Sequence, residues 1–238
     1  MTRTKSTYLA LIAVLLSPMA ANADTIAVGF TALADTTPQA TGVFRADLFG
    51  LSLTELASIS MTDDSGTDGS PGVWSGFDLA AIKLSRTFCT DAACANAAVG
   101  LNVFDFVNGV LFNGGTMDAT ANPDLQGPCL FGTSGGGCDF DDSIATLDLF
   151  DAVFSIPVAS SGWVSLGRGG EIAFNLTSLV SLLDPLYLYV GEVGNNGETL
   201  SGLVEVSDVP VRVSEPGTLA LLGIGLFGMG LSRRRKTV

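Results

Sequence analysis

Carboxylates and cysteines are the residues of this 238-residue chain whose types and spacing could do chemistry. One acidic stretch, Asp63-Asp64-Ser-Gly-Thr-Asp68-Gly, is followed closely by Asp78. Oxygen-rich loops of this kind suit calcium, since the ion takes about six to eight oxygen ligands. The spacing is not that of an EF-hand, because the middle ligand and the closing glutamate are missing. Asp63, Asp64, Asp68 and Asp78 are therefore candidate calcium ligands, with a solvated turn as the alternative. A second cluster, Asp139, Asp141 and Asp142, follows Cys138. Paired carboxylates can act as general acid and base in glycoside hydrolysis, but calcium or a solvated glycine-rich loop accounts for this cluster more simply. Trp74, Trp163, Tyr187 and Tyr189 could form a sugar-stacking platform. The alternative places the tryptophans between two sheets and the tyrosines at the edge.

Histidine is absent. That removes the usual general base, the usual triad partner and the commonest transition-metal ligand. The expectation is a protein that is not an enzyme and needs no cofactor, calcium being the one ion its carboxylates could hold. Residues 24–214 carry 23 Asp and Glu against Arg45, Lys83, Arg86, Arg168 and Arg212, a net charge of −18. A surface this acidic repels phosphate backbones, which argues against nucleic acid as a partner.

The N-terminus has the parts of a secretory signal peptide: Arg3 and Lys5, an apolar stretch from Tyr8 to Leu16, and a small-residue site at Ala21 and Ala23. Cleavage there would leave Asp24 as the mature N-terminus. Export takes the chain to an oxidising compartment, where Cys89-x4-Cys94 and Cys129-x8-Cys138 are expected as disulfides. Of the three connectivities, pairing 89 with 94 and 129 with 138 demands least of the geometry. A four-thiolate zinc site is the alternative, and only the first pair meets its usual close spacing. The second pair brackets Gly132–Gly137, a turn clamped at its base.

The elements that must position these groups are short apolar runs, many alternating at period two, separated by Gly, Ser, Asp and Asn clusters. Strands are expected at 25–31, 43–49, 77–84, 101–106, 147–154, 163–166, 172–176, 186–190, 200–206 and 209–211. Short helices are expected at 51–59 and 177–183, the second ended by Pro185. Asn175-Leu176-Thr177 matches a glycosylation sequon, on which a single tripeptide carries little weight. The pattern predicts an all-β chain with one antiparallel, jelly-roll-like β-sandwich at 24–212, a signal peptide at 1–23, and a distinct C-terminal segment at 213–238.

That last segment has three parts in order. Ser214-Glu215-Pro216-Gly217 comes first, then an uncharged run to Leu231, then Arg233, Arg234, Arg235 and Lys236. It resembles the PEP-CTERM sorting signal of Gram-negative bacteria, with Ser214 standing where the usual form has its first proline. The resemblance implies recognition by an exosortase, a membrane-embedded enzyme, and delivery to the cell surface or an exopolysaccharide matrix such as a biofilm. Similar C-terminal segments occur on some bacterial ice-binding proteins, but no regular Thr-x-Thr array accompanies this one. Gly76-Phe77-Asp78-Leu79-Ala80-Ala81-Ile82 is also similar to a stretch of some exported bacterial β-sandwich domains, with Ala80 where those carry a second aspartate. The fifteen residues Gly217–Leu231 would span about 22 Å as a helix, against a hydrocarbon core of about 30 Å. They read as a single, short transmembrane helix. The basic cluster after it would stay cytoplasmic, so the inner membrane is a transient partner and the Glu-Pro pair lies just outside it.

Overall fold

The computed structural model describes residues 24–37, 41–64, 70–152, 162–193 and 203–212. Alternation sets the inner faces: Ile172 and Phe174 are buried while Asn175 is half-buried, and Val204 and Val206 are buried on either side of Glu205. The described strands are β1 (Thr25–Ala27), β2 (Thr31–Thr36), β3 (Gly42–Asp47), β4 (Glu55–Thr62), β5 (Asp78–Ser85), β6 (Val110–Asn113), β7 (Thr133–Ser134), β8 (Asp139–Phe140), β9 (Val164–Ser165), β10 (Glu171–Ser181), β11 (Tyr187–Glu192) and β12 (Leu203–Ser207). A short helix, α1 (Ala92–Ala97), follows β5.

Two five-stranded sheets, ordered β1-β12-β4-β10-β6 and β2-β3-β11-β5-β9, are built from antiparallel pairs. One apolar core draws on both, with Ile59, Met61, Phe174 and Val206 from the first meeting Leu79, Ile82, Leu188 and Val190 from the second. Burying each such large side chain is worth about 1.5–3 kcal/mol. Without the edge strands β6 and β2, the order is β1-β12-β4-β10 against β3-β11-β5-β9. The chain then changes sheet at every step except β5 to β9, as in an eight-strand jelly roll.

The long connection from β5 to β9 carries α1, β6 and the β7–β8 hairpin. Parts of it cover the outer face of the second sheet, so every residue of β5 is buried. Cys89, Ala92, Ala95 and Phe150 pack with Val43, Ala81 and Tyr189. Leu125, Ala152 and Trp163 pack with Trp74, Ala80 and Val193. The outer face of the first sheet is polar instead, bearing Ser58, Ser60, Asn175 and Glu205.

Several sequence expectations are corrected. The helix expected at 51–59 gives way to β4, where Ser58, Ser60 and Thr62 alternate with Ile59 and Met61. The helix expected at 177–183 is mostly β10, continued past a register shift between Asn175 and Val180. Residues 101–106 form no strand, only a single bridge from Phe104 to Leu176. There the Asp105 carboxylate accepts the N–H groups of Val107 and Asn108, turning the chain before a ladder can extend. The described part of 147–154 is also not a strand, and 209–211 lies outside the ladder. Helix α1 was not anticipated, although Asp91 caps it by accepting the Cys94 N–H at 2.8 Å.

Candidate functional site

Of the first acidic group, Asp63 and Asp78 are buried. Asp63, just past β4, is 5% exposed. It accepts the Phe77 N–H at 2.9 Å on Oδ1 and the Gly169 N–H at 3.2 Å on Oδ2, while its own N–H donates to the Gly170 carbonyl. This knot needs glycine: a Cβ on Gly170 would lie 1.8 Å from the Leu166 carbonyl oxygen. Asp78 opens β5, is 4% exposed, and accepts the Ser165 hydroxyl at 2.6 Å across the sheet. Asp64 is exposed, and Asp68 lies outside the described residues. Among the described residues, no three acids or cysteines gather where they could share a metal ion.

The second acidic group caps a turn. Asp139 and Asp142 are exposed, and Asp141 accepts both the N–H and the hydroxyl of Ser143. Those bonds to Ser143, helped by Ser134, hold the Asp141 carboxyl below the ordinary carboxylate value. A glycosidase's general acid needs the opposite shift.

The sulfurs pair as the shorter loops suggest, Cys89 with Cys94 and Cys129 with Cys138, at Cα separations of 5.5 and 5.3 Å. No sulfur of either pair remains for a four-thiolate zinc site. The aromatic residues pack rather than form a platform. Trp163 is fully buried, stacked on Phe131 at 4.0 Å and 6.1 Å from Trp74. Both tryptophans lie in the layer outside the second sheet, not between the sheets as the packing alternative placed them. The Tyr189 hydroxyl accepts the Cys89 N–H and donates to the Thr87 carbonyl, and Tyr187 meets Phe88 edge-on at 5.4 Å.

Four of the five basic residues between 24 and 214 bind other parts of the body. Arg45 pairs with Asp47 and lies 4.1 Å over the Phe88 ring. Lys83 donates to the carbonyls of Ala95, Asn96 and Ala98 at the end of α1. Arg86 donates to the carbonyls of Ser181, Asp184 and Pro185. Arg168 grips Asp118 through two parallel hydrogen bonds, a pairing across 50 residues that no local sequence pattern announces.

The Arg168 guanidinium holds the Asp118 carboxyl below its usual range. A carboxylate with a depressed folded pKa contributes stability above its unfolded value, near 3.9, and loses it as pH falls through the folded value. Asp118→Asn is therefore expected to lower stability at neutral pH and to flatten its decline below about pH 4, measured by chemical denaturation across pH. An equally steep acid decline in the variant would remove Asp118 from that account.

The first and last described residues of the body, Asp24 and Arg212, both border the polar face of the first sheet. The Asp24 N–H donates to Asp208 Oδ1 at 3.1 Å, beside the Thr25–Ser207 register pair. Past β12, residues 209–211 cross this face. Ser58 donates its hydroxyl to the Val209 carbonyl at 2.6 Å. Asn175 accepts the Val211 N–H at 2.7 Å and donates to the Val211 carbonyl at 3.0 Å. The description ends at Arg212. Ala21, Ala23, Ser214, Glu215, Pro216, Gly217, Arg233, Arg234, Arg235 and Lys236 lie outside the described residues. No helix among the described residues is long and apolar enough to cross a membrane.

A family comparison finds the PEP-CTERM protein-sorting motif at residues 212–236. The chain thus carries an exosortase sorting signal. This motif implies export, sorting at the membrane with exosortase as the processing partner, and a place at the cell surface. No curated protein and no solved structure matches the chain.

Proposed function

We propose that this protein is a non-catalytic structural or binding component of the bacterial envelope, surface or biofilm matrix, delivered and released through its C-terminal tail. The observation that carries this reading is the sorting motif at residues 212–236, which follows β12 and the segment 209–211 fastened to the body. The signal peptide is removed after Ala23. The uncharged run Gly217–Leu231 then holds the chain in the inner membrane with Arg233–Lys236 on the cytoplasmic side. Exosortase recognises Glu215 and Pro216 and separates the body from its tail. The absence of histidine and the depressed Asp141 support a body without a turnover site. Its acidic surface suits life beside a hydrated polysaccharide better than beside nucleic acid.

The test compares the chain in isogenic cells with and without their exosortase. Intact mass of the exported protein is expected to show tail loss only in the first, and a tail kept in both would overturn the sorting reading. A calcium-dependent polysaccharide-binding module is the other role open to the body. Asp63 and Asp78 already accept N–H and O–H donors, so calcium is expected to leave the melting temperature of the full chain unchanged relative to chelator. Ligand that binds only the folded state would raise it by mass action, and such a rise would favour the calcium-dependent role.

A further inference from the structure

The segment that leads to the sorting motif is fastened to the body, and the fastening limits how far the motif can reach. Asn175 holds both backbone groups of Val211, and Ser58 holds the Val209 carbonyl. Asn175 is the sequon residue, and its side-chain amide is occupied by this contact. With Val211 held, four residues reach Glu215, at most about 13–14 Å of extended chain. A body of roughly 190 residues has a radius of gyration of about 16 Å, so the chain between Val211 and Glu215 is shorter than one body radius even when fully extended. If residues 209–211 let go, the tether begins at Ser207, and the reach to Glu215 becomes about 26–29 Å. Asp24, where the described residues begin, is held by Asp208 at the β1–β12 edge of the same sheet, so Asp24 and Arg212 border one polar face.

We infer that Asn175 and Ser58 form a clasp that restrains the sorting motif, so that its opening sets how readily a membrane-embedded enzyme reaches Glu215 and Pro216. This rests on the sorting reading. Asn175→Ala removes both bonds to Val211 without touching the motif or the core. The measurement is a pulse-chase of the full chain in exosortase-positive cells, following loss of the tail. Tail removal is expected to be at least about fivefold faster in Asn175→Ala, since one of the two lost hydrogen bonds alone accounts for about that factor. A six-residue Gly-Ser insertion between Arg212 and Val213 should match it with the clasp intact, and the two changes together should be no faster than either alone. Val211→Pro removes only the N–H that Asn175 accepts, and its acceleration would support the clasp even if Asn175→Ala misfolds. Parent-like or slower processing in a folded Asn175→Ala, or additive acceleration by the two changes, would overturn the clasp alone. A parent that never loses its tail would overturn the sorting reading, and the clasp with it.

Discussion

With both Glu215 and Pro216 changed to alanine, the chain is expected to keep its tail in exosortase-positive cells and to accumulate in the membrane fraction. Proline fixes its own φ near about −65° and pushes the residue before it towards extended backbone. The Glu-Pro pair therefore differs from Ala-Ala in both charge and backbone freedom. Alanine removes both the charge and the proline's restriction while leaving Arg233–Lys236 unchanged. Processing should fall at least about tenfold, equivalent to a loss of ~1.4 kcal/mol in the cleavage transition state. Ser214→Pro, which restores the usual first proline, should be processed no more slowly than the parent. Parent-like processing of the double variant would show that the enzyme reads something else in the tail.

The tail was legible because everything that defines it is contiguous: an acid-proline pair, an apolar run and a basic cluster within 26 residues. Period-two alternation likewise placed β10 at Ile172 and Phe174 and β11 at Leu188 and Val190. The surroundings of the acidic groups were not legible, for the opposite reason. Asp63 and Asp78 sit beside glycine-rich turns and look like exposed ligands, yet their partners Gly169 and Ser165 lie 106 and 87 residues away. A buried carboxylate tied to backbone amides and a solvated one have the same local spelling. The clasp was hidden too, since Asn175 and Val211 are 36 residues apart. Trp74 and Trp163 were recognisable as packing residues, but not their layer. A jelly roll's second sheet can be covered from outside, and only the long connection between β5 and β9 shows that it is.

That outer layer yields the largest expected change in stability. Trp163 has no exposed surface, stacks on Phe131 with centroids 4.0 Å apart, and belongs to one buried cluster with Trp74, Ala80, Leu125, Ala152 and Val193. Its backbone is close-packed as well: a Cβ on Gly132, whose φ is +79°, would lie 2.6 Å from the Trp163 carbonyl oxygen. Such surroundings have little room to collapse, so Trp163→Ala should cost about 3–5 kcal/mol. Against a typical total of about 5–15 kcal/mol, that is a large fraction. The indole N–H is buried with no acceptor among the described residues. An orphaned buried donor carries a penalty of about 1–3 kcal/mol, so Trp163→Phe, which keeps a ring against Phe131 and deletes the donor, should cost no more than about 1.5 kcal/mol. Denaturant midpoints of the three proteins decide the matter. A phenylalanine variant as unstable as the alanine one would mean that the N–H is satisfied after all. An alanine variant within about 1 kcal/mol of the parent, the range of an ordinary substitution, would mean that the layer is a loose cover, leaving the inter-sheet core to hold the fold.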